Sequence, residues 1–167
     1  MKWETVGCLI YRIIAKVHYV LLCCYLRYNI KGDSKSLLIY DNPKVVCPDN
    51  LTVGEHCSLN EGSLLHCVGN VVLGNNVTVS AGAKIFSTQY DVSHWTESEK
   101  HYHLRKSVFI NDGCWICSGG VILPGVYING KNVIVGANAV VTRDINESNV
   151  LVAGVPAKIS RSLSRRS

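Results

Sequence analysis

The stretch from Ile110 to Asp144 decides the fold; it reads INDGCWICSGGVILPGVYINGKNVIVGANAVVTRD. Its aliphatic residues recur every six positions, with one extra residue before the last two: Ile110, Ile116, Ile122, Ile128, Val135 and Val141. An α-helix repeats about every 3.6 residues and a lone amphipathic strand about every two, so neither explains this period. A six-residue period predicts an all-β solenoid, a parallel β-helix of hexapeptide repeats whose short strands stack into one core.

The same spacing extends toward the N-terminus. From Val53 onward it gives four triplets of aliphatic residues, and each triplet predicts one triangular coil: Val53, Leu59, Leu65; Leu73, Val79, Ile85; Ile110, Ile116, Ile122; Ile128, Val135, Val141. Residues 31–48 are expected to lead into the first coil, and the chain is expected to leave the solenoid after Asp144. The segments GEH, GNN and NGK fall at predicted corners, where Gly and Asn tolerate a left-handed backbone.

One long segment, Phe86–Ser107, interrupts the period. It is polar and holds three of the six histidines, His94, His101 and His103. Both flanking coils keep their register, so the inserted loop must leave and return at the same edge of the solenoid. Long loops inserted into regular folds are usually functional, which makes this loop the predicted active-site segment.

Residues 4–30 predict one amphipathic helix. An apolar stripe contains Leu9, Ile13 and Val17, and a second stripe carries Arg12 and Lys16. These two charges interrupt a segment that would need about 20 mostly apolar residues to span a membrane comfortably. The helix is expected either to pack on the β-domain or a neighbouring subunit, or to lie on an anionic membrane surface.

Composition narrows the function. Charged residues make up 17% of the chain, and the net charge of +5 is concentrated in the tail, where Arg161, Arg165 and Arg166 lie. No groove of basic and aromatic residues is indicated, so nucleic acid is not an expected partner. The eight cysteines accompany no secretory signal, and the pair Cys114 and Cys117 lies inside the repeat, which indicates core thiols in a reducing, cytoplasmic setting.

The expected organisation is therefore an N-terminal helix over residues 1–30, a β-helix domain over 31–161 with the loop 86–107 inserted, and a basic tail over 162–167.

Three sequence blocks resemble one known family. WICSGGVILPGVYI, IVGANAVVTRDI and VLVAGVPAKI occur in that order and are similar to blocks of the hexapeptide-repeat acyltransferases, specifically the sugar O-acetyltransferases. The resemblance covers about residues 53–161. It implies a left-handed parallel β-helix, a homotrimer with active sites between subunits, acetyl-coenzyme A as acyl donor, and no metal.

The resemblance also implies direct transfer of the acetyl group to a sugar hydroxyl, with a histidine as general base. A positioned imidazole, with an ordinary pKa of about 6.5, can accept the hydroxyl proton as attack develops. In relatives the base commonly follows the coil before the loop, which here falls near Gln89–Tyr90, where no histidine stands. His94 and His103 are the predicted catalytic residues, His101 stays an alternative, and Asp91 is a candidate to orient an imidazole or to contact the acceptor.

The remaining site residues follow from the same resemblance. Six fall at coenzyme-contacting places of the family's blocks: Ser118, Ala137, Thr142, Arg143, Lys158 and Arg161. Asn60 falls near an acceptor-binding asparagine of the sugar enzymes, although a coil corner would also explain it. The acceptor is expected to be a sugar or a polysaccharide precursor. A lipid-linked acceptor would suit a protein lying peripherally on the inner face of the membrane through residues 4–30.

Other functions remain open at this point. A non-catalytic oligomerisation module on the same scaffold is the main alternative, because no histidine stands near Tyr90. Serine acetyltransferase shares the fold and donor but carries a larger helical N-terminal domain. A γ-type carbonic anhydrase would need three converging histidine ligands, whose spacing the loop histidines do not resemble.

Overall fold

The computed structural model describes residues 3–93 and 102–163, with side chains from residue 6 onward in those ranges. One helix, α1 (Trp3–Asn29), precedes a solenoid of short parallel strands that form three faces. Parallel β-pairing links each coil to the next on every face, as the six-residue period predicts. The fold class, a left-handed parallel β-helix with an N-terminal helix and one inserted loop, is confirmed.

The strands follow one another around the three faces in turn. The first face contains β1 (Lys31–Gly32), β4 (Leu51–Val53), β7 (Val71–Leu73), β12 (Val108–Ile110) and β15 (Tyr127–Ile128). The second contains β2 (Leu38–Ile39), β5 (Ser58–Leu59), β8 (Thr78–Val79), β13 (Trp115–Ile116), β16 (Ile134–Val135) and β18 (Val150–Gly154). The third contains β3 (Lys44–Val46), β6 (Leu64–His66), β9 (Lys84–Phe86), β14 (Val121–Ile122) and β17 (Val140–Val141). We name the edges by the faces they join: edge 1–2, edge 2–3 and edge 3–1.

The core consists of the aliphatic residues that define the period. Each of the twelve triplet residues is at most 2% exposed. Successive side chains of a strand point to opposite faces of the sheet, so a strand of two or three residues contributes one or two inward side chains. The twelve residues therefore stack into three columns that meet along the axis of the solenoid.

The solenoid is longer than the four predicted triplets. The expected lead-in is itself a coil, because Ile39 pairs with Leu59 and Val45 pairs with Leu65. The expectation that the chain leaves the solenoid after Asp144 is wrong: Ile145 bridges to Ile128, and β18 continues the second face beside β16. The last segment escaped the hexad count because its coil is shortened: Ile145 follows Ile128, and Val152 follows Val135, by seventeen residues.

Edge 1–2 is held by a ladder of polar side chains. Asn75 Oδ1 accepts the Glu55 N–H at 2.8 Å, and Asp112 Oδ1 accepts the Asn75 N–H at 2.9 Å, so each side chain binds the backbone of the preceding coil. Left-handed backbone occurs at His56 and at asparagines such as Asn76 and Asn132, with φ between 55° and 56°. The predicted corners are thus confirmed at GEH and GNN, whereas NGK makes its left-handed turn one residue later, at Asn132.

Both ends of the solenoid are covered by other elements. The last turns of α1 pack on the first coil: Leu26 and Ile30 are buried, the Tyr19 hydroxyl donates to Ile39 O at 2.6 Å, and Arg27 Nη2 donates to Leu37 O at 3.3 Å. The other end carries β19 (Ala157–Ser162), which folds back antiparallel to β18. The N-terminal helix is therefore the cap that stacked repeats require.

Candidate active site

The inserted segment forms a hairpin at edge 3–1. Strands β10 (Thr88–Tyr90) and β11 (His103–Arg105) pair antiparallel, with Thr88 opposite Arg105 and Tyr90 opposite His103. The chain leaves from β9 on the third face and returns to β12 on the first face, beside β7. The prediction that the loop leaves and returns at one edge is confirmed.

His103 lies across the hairpin from Tyr90. Directly opposite residues of an antiparallel pair share one face of the ribbon, and here the two ring centroids are 4.4 Å apart with the planes tilted by 38°. Both side chains are exposed. The hairpin therefore places an imidazole next to the position where the family resemblance implies one. Sequence spacing did not reveal the contact between Tyr90 and His103. These residues are thirteen positions apart, and only the strand register brings them together.

The foot of the hairpin is fixed by Ser87. This buried hydroxyl donates to His66 O at 2.7 Å and accepts the Gly69 N–H at 2.9 Å. A Cβ on Gly69 would lie 2.6 Å from Ser87 O, so the close approach of the two segments requires glycine there. Ser87 stands twenty residues after the buried Cys67, in the equivalent place of the next coil, and this change from thiol to hydroxyl is the sequence signal that could have found it.

Of the other predicted loop residues, Asp91 is described and His94 and His101 lie outside the described residues. Asp91 Oδ1 accepts the Ser93 backbone N–H at 3.0 Å and the Ser93 hydroxyl at 2.5 Å, while its own N–H donates to Tyr102 O at 2.8 Å. Asp91 therefore holds the turn that follows β10. A role in orienting an imidazole or contacting the acceptor stays a prediction.

Three of the predicted coenzyme residues lie at edge 2–3. Ser118 and Ala137 are exposed at the same corner of successive coils, and Ser118 O accepts the Asn138 N–H at 3.1 Å. The next level of this edge is formed by Ala153, which neighbours Gly136 and is the register partner of Lys158. Ser118, Ala137 and Lys158 thus follow one line parallel to the solenoid axis.

A β-bulge places Lys158 and Arg161 on one face of β19. Lys158 pairs with Ala153 and Arg161 pairs with Leu151, with a register shift between Leu151 and Val152. Residues three apart on a regular strand would point to opposite faces, and the extra residue of the bulge corrects this. The Lys158 and Arg161 side chains therefore lie on the same face of the sheet as those of Leu151 and Ala153. This arrangement would allow the two cations to bind the same phosphate group or two adjacent ones.

Thr142 and Arg143 do not join the other coenzyme residues. They follow β17 at edge 3–1, two coils beyond the hairpin, and both are exposed. Ala137 and Arg143, six positions apart, lie at opposite sides of the third face, a span of at most about 22 Å. Within one chain, the predicted site residues therefore divide between two edges of the solenoid.

Asn60, Trp115 and Cys114 have structural roles in the solenoid. Asn60 Nδ2 donates to Val79 O at 2.9 Å, which ties two coils together. Trp115 Nε1 donates to Ser80 Oγ at 2.8 Å and its ring is exposed, so it links coils from the outside of the solenoid. Burial raises the pKa of the Cys114 thiol to about 11, as fits a core cysteine.

Within residues 3–93 and 102–163, no group of three or more His, Cys, Asp or Glu side chains is arranged to hold a metal ion.

No protein-family model matches the chain. Individual proteins are nevertheless similar to it in sequence. The Saccharomyces cerevisiae protein YJL218W, named as an acetyltransferase, is 33% identical over 133 residues, which are 72% of this chain and 67% of the yeast protein. The Escherichia coli galactoside O-acetyltransferase is 32% identical over 124 residues, 70% of this chain and 56% of that enzyme. WbbJ of E. coli, named as a lipopolysaccharide-biosynthesis O-acetyl transferase, is 41% identical over 115 residues, 63% of this chain and 57% of WbbJ.

Solved structures share the fold. A maltose O-acetyltransferase of Clostridium difficile superimposes with a TM-score of 0.74 at 26% identity, covering 84% of this chain and 73% of that one. A hexapeptide-repeat acetyltransferase of Vibrio cholerae, complexed with acetyl-coenzyme A, superimposes with a TM-score of 0.74 at 23% identity, covering 83% of this chain and 74% of that one. The chain belongs to the hexapeptide-repeat acetyltransferases. It spans little more than half the length of the two E. coli relatives.

Proposed function

We propose that the protein is an O-acetyltransferase that moves the acetyl group of acetyl-coenzyme A to a hydroxyl of a sugar or a polysaccharide precursor. Family membership supports the acetyl transfer, and the Vibrio cholerae neighbour was crystallised with this donor. The observation that carries the proposal for this chain is His103. It is an exposed imidazole on strand β11, facing Tyr90 at the place where the family resemblance implies a base.

One histidine is sufficient for both proton transfers of the reaction. The acceptor oxygen attacks the thioester carbonyl carbon while His103 takes the hydroxyl proton, and a tetrahedral oxyanion forms. Collapse of this intermediate breaks the carbon–sulfur bond, and the imidazolium returns the proton to the departing thiolate. General-base catalysis of this kind contributes about 10²- to 10⁴-fold to a rate.

The donor would lie along edge 2–3. The small side chains of Ser118 and Ala137 would allow the donor molecule to approach the protein backbone closely. Lys158 and Arg161 share one face of β19, where they could bind the phosphates of the donor. This region carries no carboxylate between Lys158 and Arg161, so nothing on β19 offsets the two positive charges.

A homotrimer would unite the two edges. His103 lies at edge 3–1 and Ser118 at edge 2–3, at opposite sides of the third face, so one chain alone separates base from donor. A neighbouring copy that brings its edge 2–3 beside this hairpin would complete the site. The separation of the two edges thus supports the proposal that the active sites lie between subunits.

The acceptor class rests on the relatives. Their names specify a galactoside, maltose and lipopolysaccharide biosynthesis, all of which supply sugar hydroxyls. Asn60 and Asp91 are the residues proposed to contact the acceptor.

The test is acetyl transfer from acetyl-coenzyme A to a panel of free sugars, nucleotide sugars and lipid-linked oligosaccharides. We expect His103→Ala to lower kcat by about 10²-fold or more with little change in donor affinity. His94→Ala, made beside it, tests the other predicted base. His56→Asn is the matched control, because His56 is exposed at edge 1–2 and Asn also accepts its left-handed backbone. Full rate in both variants would show that the assignment of the base to His94 or His103 is wrong.

The non-catalytic alternative has its own readout. An oligomerisation module would not bind the donor, so acetyl-coenzyme A would leave the melting temperature unchanged. An enzyme would be stabilised by about 2.7 kcal/mol at a donor concentration of 100 times Kd.

A further inference from the structure

The apolar stripe of α1 has no partner among the described residues. Ile10, Ile13, Val17 and Leu21 are 51%, 54%, 53% and 63% exposed. Residues at these spacings lie on one side of a helix. The solenoid is on the opposite side, because the docking contacts come from Tyr19, Leu26 and Ile30. The stripe therefore points away from the domain that α1 caps.

We infer that this stripe docks on an anionic lipid membrane, with α1 lying in the interface and the solenoid on its aqueous side. Charge supports the lipid as the occupant. Between residues 6 and 50 the chain has six basic residues and three acidic ones. Arg12 and Lys16 project from the helix away from the apolar stripe, toward the solenoid side, where headgroups would lie.

The docking of α1 on the first coil decides between lying in the membrane and crossing it. By length and composition the segment Val6–Asn29 could span a bilayer, and almost all of it is exposed. However, α1 is tied to the first coil from Tyr19 onward, where the Tyr19 hydroxyl donates to Ile39 O and Leu26 is buried. The segment Val6–Asn29 could therefore cross the membrane only if its second half left that coil. The bound geometry is therefore interfacial.

A second copy of the chain would explain the stripe less well. A helix–helix contact through the stripe would cover the apolar residues but would give no partner to Arg12 and Lys16, which project away from the stripe and for which α1 offers no carboxylate between Val6 and Asn29. An anionic surface covers the apolar residues and neutralises the basic ones together.

The test is flotation of the full chain with vesicles of phosphatidylcholine alone and of phosphatidylcholine mixed with phosphatidylglycerol. We expect binding to the anionic vesicles only, and loss of that binding in Ile13→Glu/Val17→Glu. Arg12→Gln/Lys16→Gln, which leaves the apolar stripe intact, should weaken partitioning about 30-fold, at about 1 kcal/mol for each charge. Ile159→Glu is the control, because Ile159 is 48% exposed at the far end of the solenoid.

Circular dichroism of each variant shows whether it folds, and folded variants that float like the wild type would overturn the proposal. So would a wild-type protein that does not float and whose oligomer dissociates in Ile13→Glu/Val17→Glu, since a second copy would then cover the stripe. Binding that survives an alkaline carbonate wash would contradict the interfacial geometry. Acetyl transfer to a soluble sugar is measured separately, so failure of the membrane proposal leaves the proposed activity untouched.

Discussion

Tyr90 and His103 are Cα register partners across the β10–β11 hairpin, and their rings lie 4.4 Å apart. The two residues share one face of the ribbon, so an imidazole placed at position 90 would lie within about 5 Å of the one at His103.

This relationship predicts a rescue. His103→Ala should reduce kcat by about 10²-fold or more, and adding Tyr90→His should restore part of that loss because the imidazole returns from the opposite strand. Tyr90→Phe retains the ring contact and should keep most of the activity. Steady-state kinetics of the four proteins measure this. Equal rates for His103→Ala and the double variant would show that an imidazole at position 90 cannot replace the one at His103.

Ser87 should control the stability of the hairpin foot. Ser87→Ala leaves the Gly69 N–H and His66 O without the buried hydroxyl that now binds them, which should cost about 1–3 kcal/mol in the free energy of unfolding. Urea denaturation measures the loss. The exposed Ser107→Ala is the matched control and should change stability by less than about 0.5 kcal/mol. Equal effects of the two changes would contradict the role of Ser87.

The Asp112–Lys131 pair should give a small stability contribution that depends on pH. The Lys131 ammonium at 2.9 Å, followed by the Asn75 N–H, lowers the pKa of Asp112 below its usual 3.8. A lowered folded-state pKa stabilises the protein above the unfolded value, and this contribution is lost as pH falls through the folded value. The pair is exposed, so Asp112→Asn should cost about 0.2–1 kcal/mol at pH 7 and close to nothing near pH 2. A difference that persists at acid pH would argue against the ion pair.

The buried thiols should be inert in the native state. Burial raises the pKa of Cys67 to about 12 and that of Cys114 to about 11. Thiolate is the reactive form, so a thiol reagent at pH 8 should label the exposed Cys8, Cys24 and Cys47 quickly, and Cys67 and Cys114 only after unfolding. Mass spectrometry of labelled peptides distinguishes them.

The same shift predicts alkaline destabilisation. Between about pH 9 and 12 the folded state keeps protons that the unfolded thiols have lost, so stability falls as pH rises through this window. Cys67→Ala should reduce the slope there. An unchanged slope would assign alkaline unfolding to other groups.

Sequence periodicity was sufficient for the core. The twelve triplet residues are buried because a closed triangular coil needs one inward aliphatic residue about every six positions. This requirement concerns residues close together in the sequence, so the sequence alone reveals it. The first coil was also recoverable, since Ile39 and Val45 stand twenty residues before Leu59 and Leu65, the same interval that separates the second and third coils.

The candidate site was predictable only in part. The three blocks shared with the acyltransferases pointed to Ser118 and Ala137, whose positions follow from the coil register, and to Lys158, which lies on the antiparallel return strand β19. The pairing of Tyr90 with His103 depends on how the two arms of the insertion align, and no repeat fixes that alignment. The bulge that turns Lys158 and Arg161 to one side of β19 is likewise a departure from regular spacing, which periodicity cannot supply.

The antiparallel return of β19 has a consequence for self-association. A stack of parallel coils presents unpaired N–H and C=O groups at each end, and such edges invite the addition of further chains. β19 pairs with the final strand of the second face in the opposite direction, while α1 covers the first coil at the other end. The repeat sequence itself does not end the stacking of coils. These two elements keep a solenoid that could otherwise grow into a fibre as a particle of defined length.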